Sequence, residues 1–175
     1  MKKLLAITSA LSMLVFAGVS FAAEPQQAPA APAKKVVKVN HATYKASVAT
    51  ARTEVPEQAV LYGFETEKNI DTLKFRDNDA YIEYKAEVDN VLNKLVELEI
   101  HGSNIAGSTT IKYTATGIMD IIKKAYPDAR NIAIEQKQEG NNFYYEAEFI
   151  IDKGEVEAKI NPFTGAFAHT EIEFK

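Results

Sequence analysis

The chain offers few groups for bond-making chemistry. Its three imidazoles, His41, His101 and His169, stand 60 and 68 residues apart. Catalytic zinc centres usually take three protein ligands, commonly at short spacings. This spacing therefore predicts no metal site, and one assembled from distant positions would depend on the fold. Cysteine is absent, no Gly-x-Ser-x-Gly is present, and the eight glycines are scattered instead of forming a phosphate loop. Asp77-Asn78-Asp79 lacks the glycine and distal glutamate of a calcium loop and reads as a turn. The sequence predicts no catalytic residue, no metal and no cofactor. It does not read as an enzyme.

Carboxylates are the abundant polar chemistry. By strand parity Glu83, Glu87, Glu97 and Glu99, then Glu146, Glu148, Glu155, Glu157, Glu171 and Glu173, face away from a core. Tyr81 and Tyr144 are expected on the same outer face. An exposed aromatic among charges can anchor a protein interface. Tyr81, Tyr144, Glu146, Glu148 and Glu157 are therefore the candidate partner-binding residues. Like charges directly opposite on neighbouring strands each destabilise a sheet by a few tenths to ~1 kcal/mol. If many face one another, a compensating ligand is implied. Phe163 and Phe167 flank the Thr164-Gly165 turn, and at least one is expected to fold back into the core.

The elements that position these residues follow from periodicity. Ile118, Ile121, Ile122 and Ala125 fall on one helical face, with Thr116 as the expected cap and Tyr126-Pro127 as the stop. Ile132 and Ile134 mark a short strand. Phe143 to Ile151 alternates, Asp152-Lys153-Gly154 turns, Val156, Ala158 and Ile160 alternate again, and Ile172 and Phe174 close the sheet. Self-comparison aligns Tyr84–Val88 with Tyr145–Phe149, and Gly107–Tyr113 with Ala168–Phe174, at an offset of 61 residues. Val96–Ile100 aligns with Val156–Ile160 at 60. The same comparison sets Ala59–Phe64 against the helix at Ile121–Tyr126, predicting a first helix near Pro56. It also predicts strands through Leu73 and Phe75, Ile82 to Val88, Val96 to Ile100, and Ile111 and Tyr113, with Val37, Val39 and Tyr44 as an extra edge strand.

The predicted fold class is α+β: two tandem repeats, each a helix packed on a curled antiparallel β-sheet of 3–4 strands. A unit of about 60 residues is marginal alone, so the copies should pack into one body.

Lys2 and Lys3 precede an uncharged apolar stretch, Leu4–Val19, and Ser20-Phe21-Ala22 offers small residues for cleavage. Residues 1–22 read as a removable signal peptide and 23–36 as an Ala/Pro-rich linker. Residues 37–114 read as the first, diverged repeat and 115–175 as the second. Without Lys2 and Lys3 there remain 18 basic against 24 acidic residues, a formal charge of −6. That balance argues against nucleic acid as a partner. No later segment is apolar enough to span a membrane after cleavage, and the expected location is periplasmic or secreted. The oligomeric state does not follow from the sequence.

The second repeat resembles a PepSY domain. The resemblance rests on Ala125-Tyr126-Pro127 at the helix end, the strand Asn131–Glu135, the Tyr-bearing strand Phe143–Ile151, the turn Asp152–Gly154, and the strand from Val156 into Thr164-Gly165. The family usually has Asp where this chain has Asn161. The first repeat has Ser103-Asn104 where the second has Thr164-Gly165, and Asn accepts the left-handed conformation best among non-glycine residues. The resemblance implies a non-catalytic exported module. PepSY units occur in propeptides of thermolysin-like secreted metalloproteases, where they are associated with inhibition and chaperoning, and also as standalone exported proteins; no HExxH is found here. A tandem pair is similar, at the level of fold, to the beta-lactamase inhibitory proteins, whose concave sheet grips an enzyme. The expected function is an extracytoplasmic binding module for a protein partner, a regulator or inhibitor of a peptidase or other envelope enzyme. The alternative is a small-ligand or cation binder using the acidic outer face.

Overall fold

The computed structural model describes residues 41–175. The predicted signal peptide, the linker, and Val37 and Val39 lie outside the described residues. No described helix is long and apolar enough to cross a membrane.

The chain runs through two successive sets of one helix and four strands. The first is α1 (His41–Ala51), β1 (Val60–Glu67), β2 (Ile70–Asp77), β3 (Ile82–Asp89) and β4 (Lys94–His101). The second is α2 (Ala115–Ala125), β5 (Arg130–Glu139), β6 (Asn142–Ile151), β7 (Gly154–Ile160) and β8 (Phe167–Phe174). All eight strands form one antiparallel sheet in the order β1-β2-β3-β4-β8-β7-β6-β5. Each set is a meander built of hairpins. The sets meet where β4 pairs with β8, over Glu97–His101 against His169–Glu173.

Alternation sorts the side chains onto two faces. One cross-strand row runs Leu73, Ala86, Leu98, Ile172, Val156, Phe149, and every member is buried. Both helices cover this face. Ala51 and Val55 join the first core with Leu73, Phe75 and Val88. Ile118 and Ile122 join the second with Tyr145, Phe149 and Ile160. Phe174 packs against both cores, so the seam is covered by one aromatic ring.

The two helices are held differently. In α2, Ile118 and Ile122 are fully buried. Its cap is Thr114, not Thr116: the Thr114 hydroxyl accepts from the Gly117 amide, so the helix begins before the predicted position. Tyr126 ends it, donating its amide to the Ile122 carbonyl ahead of Pro127. In α1 the helix–sheet contact is polar as well as apolar. Buried Ser47 donates to Asp71 Oδ2 at 2.7 Å, while Thr66 and Asn90 donate to Asp71 Oδ1 at 2.9 and 2.8 Å. Arg52, just past the helix, donates to the carbonyls of Pro56 and Ala59 and lies over the Phe75 ring at 4.6 Å.

Several expectations for the first half are corrected. The helix lies at 41–51, so Tyr44 is helical, its ring edge-on to Phe64 at 4.9 Å. Residues 60–67 form the edge strand β1. Leu95, not Val96, takes the buried site at the start of β4, because the β3–β4 register slips between Glu87 and Val88. Ile111 and Tyr113 are not in a strand. The place beside β4 that an Ile111–Tyr113 strand would fill belongs to β8. The 105–113 segment instead crosses to the second half: Lys112 and Tyr113 donate their amides to the Pro162 carbonyl, and Ser108 pairs with Phe143. Asn104 does not adopt a left-handed backbone; Lys68, Tyr81, Asn93 and Asn131 do.

Candidate functional site

The face opposite the helices is the candidate site, and its charge follows from register. One row reads Glu148, Glu157, Glu171, Glu99, Lys85, Lys74 across β6, β7, β8, β4, β3 and β2. The adjacent row reads Glu155, Glu173, Glu97, Glu87 across β7, β8, β4 and β3. With Glu135 opposite Glu146, seven glutamate pairs stand directly across from one another. At the usual magnitude for like charges so placed, they cost on the order of a few kcal/mol together.

Compensation is uneven. On the first half Lys85 Nζ reaches Glu87 at 3.0 Å, Glu97 at 3.4 Å and, still closer, Glu99. Arg76 pairs with Glu83 and Lys74 with Glu65. On the second half Lys137 pairs with Glu135 at 2.7 Å and reaches Glu146 at 3.7 Å, Lys159 reaches Glu146 at 3.8 Å, and Lys175 pairs with Glu155. Among the described residues no lysine or arginine pairs with Glu148, Glu157 or Glu173. These three, with Glu171 and Ala133, line a shallow depression of ≈ 290 Å³ over the second half.

The titration of the face records this arrangement. Partial burial pushes Glu157 above the ordinary glutamate range, and the charges of Glu171 and Glu148 push it the same way. Glu97 is likewise raised, by burial and then by Glu87. Glu99 is lowered, because Lys85 donates to it. Burial opposes the charge on Lys85, yet the hydrogen bonds it donates to Glu99 and Glu87 hold it well above the usual lysine range.

Of the predicted site residues, Tyr144, Glu146, Glu148 and Glu157 share this outer face. Tyr144 lies opposite Lys137, with Lys159 Nζ 5.7 Å from its ring. Tyr81 does not join them. It sits in the β2–β3 turn with φ 55° and is 74% exposed, since β3 begins only at Ile82 and parity has no meaning in the turn. Phe167 is half-buried against Tyr126, whereas Phe163 stays exposed.

Two features escaped the sequence. His101 and His169 are register partners at the β4–β8 seam, with Nδ1 atoms 3.3 Å apart. Their separation of 68 residues hid a contact that only the sheet order creates. Asn161 is buried, and its Oδ1 accepts from the Phe163 and Thr164 amides. Its Nδ2 donates to the Ile105 and Gly107 carbonyls at 2.7 and 3.3 Å. An aspartate could make the turn but not the second pair of bonds. Asn161 thus ties the turn after β7 to the segment joining the halves.

A comparison with curated proteins finds no match. A solved BLIP-like protein from Bacteroides fragilis is similar at 10% identity, with 70% of this chain and 81% of that one covered and a TM-score of 0.30; so low a score carries no argument. The family model described as "PepSY: Peptidase propeptide and YPEB domain" matches residues 112–168, from the segment before α2 into β8. Over that span, which holds α2 and the Tyr-bearing meander, the chain matches the PepSY family model.

Proposed function

We propose that this protein is a non-catalytic, extracytoplasmic binding module whose outer sheet face docks a basic segment of a protein partner. One observation carries the reading: seven like-charged pairs face one another across the sheet, and among the described residues Glu148, Glu157 and Glu173, on the second half, have no lysine or arginine partner. A face that costs the isolated fold stability is relieved by a ligand of opposite charge. Lysine or arginine side chains from a partner would take the places that Lys85 takes on the first half. Tyr144 supplies an aromatic platform at the rim. The match to a propeptide family supports a peptidase or another envelope enzyme as the partner, regulated or inhibited by occupation of this face. The reading of residues 1–22 as a signal peptide supports export, and the first half is read as a second, diverged PepSY-like unit.

The test is calorimetric titration of the purified chain with a lysine-rich peptide, beside the variant E148Q/E157Q/E171Q. Saturable binding that weakens with salt and is lost in the variant is expected. Binding indifferent to the substitutions would overturn the proposal. The alternative, a cation binder on the same carboxylates, predicts instead that magnesium or calcium saturates the face and the peptide does not.

A further inference from the structure

The seam between the halves carries a pair of groups that the docking reading does not use. His101 ends β4 and His169 lies within β8, and register sets them directly opposite. Their Nδ1 atoms are 3.3 Å apart, their ring centroids 4.6 Å apart, and the ring planes meet at 42°. A carboxylate lies near the other nitrogen of each ring, within hydrogen-bond distance at His101 and beyond it at His169. Glu99 Oε2 lies 3.2 Å from His101 Nε2, and Glu171 Oε2 lies 3.9 Å from His169 Nε2.

These carboxylates fix the chemistry of the pair. An ionised carboxylate only accepts, so Nε2 of His101 carries its hydrogen, and the field of Glu171 favours the same tautomer in His169. Nδ1 of His101 is then a lone pair, 3.3 Å from Nδ1 of His169, which donates to it in one tautomer and offers a second lone pair in the other. In the second tautomer a cation between the two acceptors relieves their repulsion. A carboxylate on the far nitrogen of a ligating imidazole is also the usual outer-shell partner in histidine–metal sites.

From this geometry we infer that His101 and His169 form a two-imidazole site for a divalent transition-metal ion across the β4–β8 seam. The separation suits the task. Two nitrogens 3.3 Å apart, each bonded at about 2.0–2.1 Å, subtend an angle of roughly 107° at the metal, close to tetrahedral. Among the described residues no three metal-binding side chains are gathered about one point, so water completes the coordination. The side chains are 51% and 25% exposed, which leaves a path for entry. Glu99 and Glu171 lower the cost of placing a cation there, and Lys159, opposite His169, opposes it in part.

Imidazole selects zinc, nickel and copper(II), whereas carboxylate faces select magnesium and calcium. The site shares Glu171 with the acidic depression beside it but selects a different class of ion, and its test is independent of any peptide binding. The purified chain is titrated with zinc and with nickel by calorimetry, while the imidazole nitrogens are followed by NMR. One ion per chain is expected, with the Nδ1 signals of His101 and His169 displaced and that of His41 unmoved. H101A and H169A should each weaken binding at least about tenfold, and E99Q by roughly 10–100-fold through loss of its outer-shell bond. H41A should leave it unchanged, and excess magnesium should not compete. Circular dichroism and the unfolding midpoint establish that each variant is folded. H101C, which keeps a ligand of another kind, should restore zinc binding. Zinc binding that survives H101A and H169A, or that magnesium displaces, or no saturable binding in the folded parent chain, would each overturn the assignment.

Discussion

The two halves present the same order of elements to the same sheet and solve two problems in opposite ways. The first half buries a carboxylate beneath its helix and neutralises its outer face. There Asp71 collects hydrogen bonds from Ser47, Thr66 and Asn90, and Lys85 gathers three glutamates. The second half packs its helix through isoleucines and leaves Glu148, Glu157 and Glu173 on its outer face without a lysine or arginine partner among the described residues. Polar effort is spent inside one half and withheld from the surface of the other. The lesson is that similar meanders can be specialised by where their charges are satisfied, with no change of topology.

That contrast can be broken most forcefully at the apolar helix. Ile122→Ala removes a fully buried side chain, and a loss of about 2–5 kcal/mol is expected from urea unfolding curves. At the matching contact of the first half, Asp71→Ala strands three donors at once, and about 1–3 kcal/mol should be lost. If α1 were held by apolar packing alone, Asp71→Ala would cost far less. Lys85→Gln should make the two outer faces alike. It exposes the Glu87–Glu97 and Glu99–Glu171 pairs, lowering stability by about 0.2–1 kcal/mol for each and raising affinity for a lysine-rich peptide. The smallest effect is expected at Glu157. Its folded-state pKa lies above the ordinary value of 4.5, so the protonated form is favoured by folding. Its contribution is full below 4.5 and is lost as pH rises through the raised folded value. Glu157→Gln should therefore stabilise the protein at pH 7 by a few tenths to ~1 kcal/mol and flatten that part of the pH profile. An unchanged profile would mean the face is screened by something not yet identified.

Much of the second half was legible in the sequence because its signals are local. Ile118 and Ile122 recur at helical spacing, Tyr145 to Ile151 alternates cleanly, and Gly165, at φ 75°, marks the turn. The first half was harder for the same physical reason in reverse. His41–Ala51 has small residues and no broad apolar stripe, since Ser47 binds the sheet through a hydrogen bond that periodicity does not register. The apolar run at Ala59–Phe64 resembles a helix face but pairs as an edge strand. Alternation also looks the same in every strand, so a self-alignment can slide by one strand. The offsets of 61 and 60 set β3 against β6 and β4 against β7, whereas counting from each helix sets β2 against β6 and β3 against β7. The acidic face could be read by parity, but its like-charge pairing and the histidine contact could not. Both depend on β8 entering beside β4, which no local pattern encodes.

The pairing of β4 with β8 also imposes a schedule on synthesis. The neighbour that β4 needs on its open side is made only when residues 167–174 appear, after the whole of the second helix and three further strands. Until then an emerging chain carries a finished meander with one bare hydrogen-bonding rim, a template for any strand it meets. A helper that holds nascent chains apart, or a route that delays folding until the chain is whole, would matter more here than for a protein whose sheet grows strand by strand from one edge.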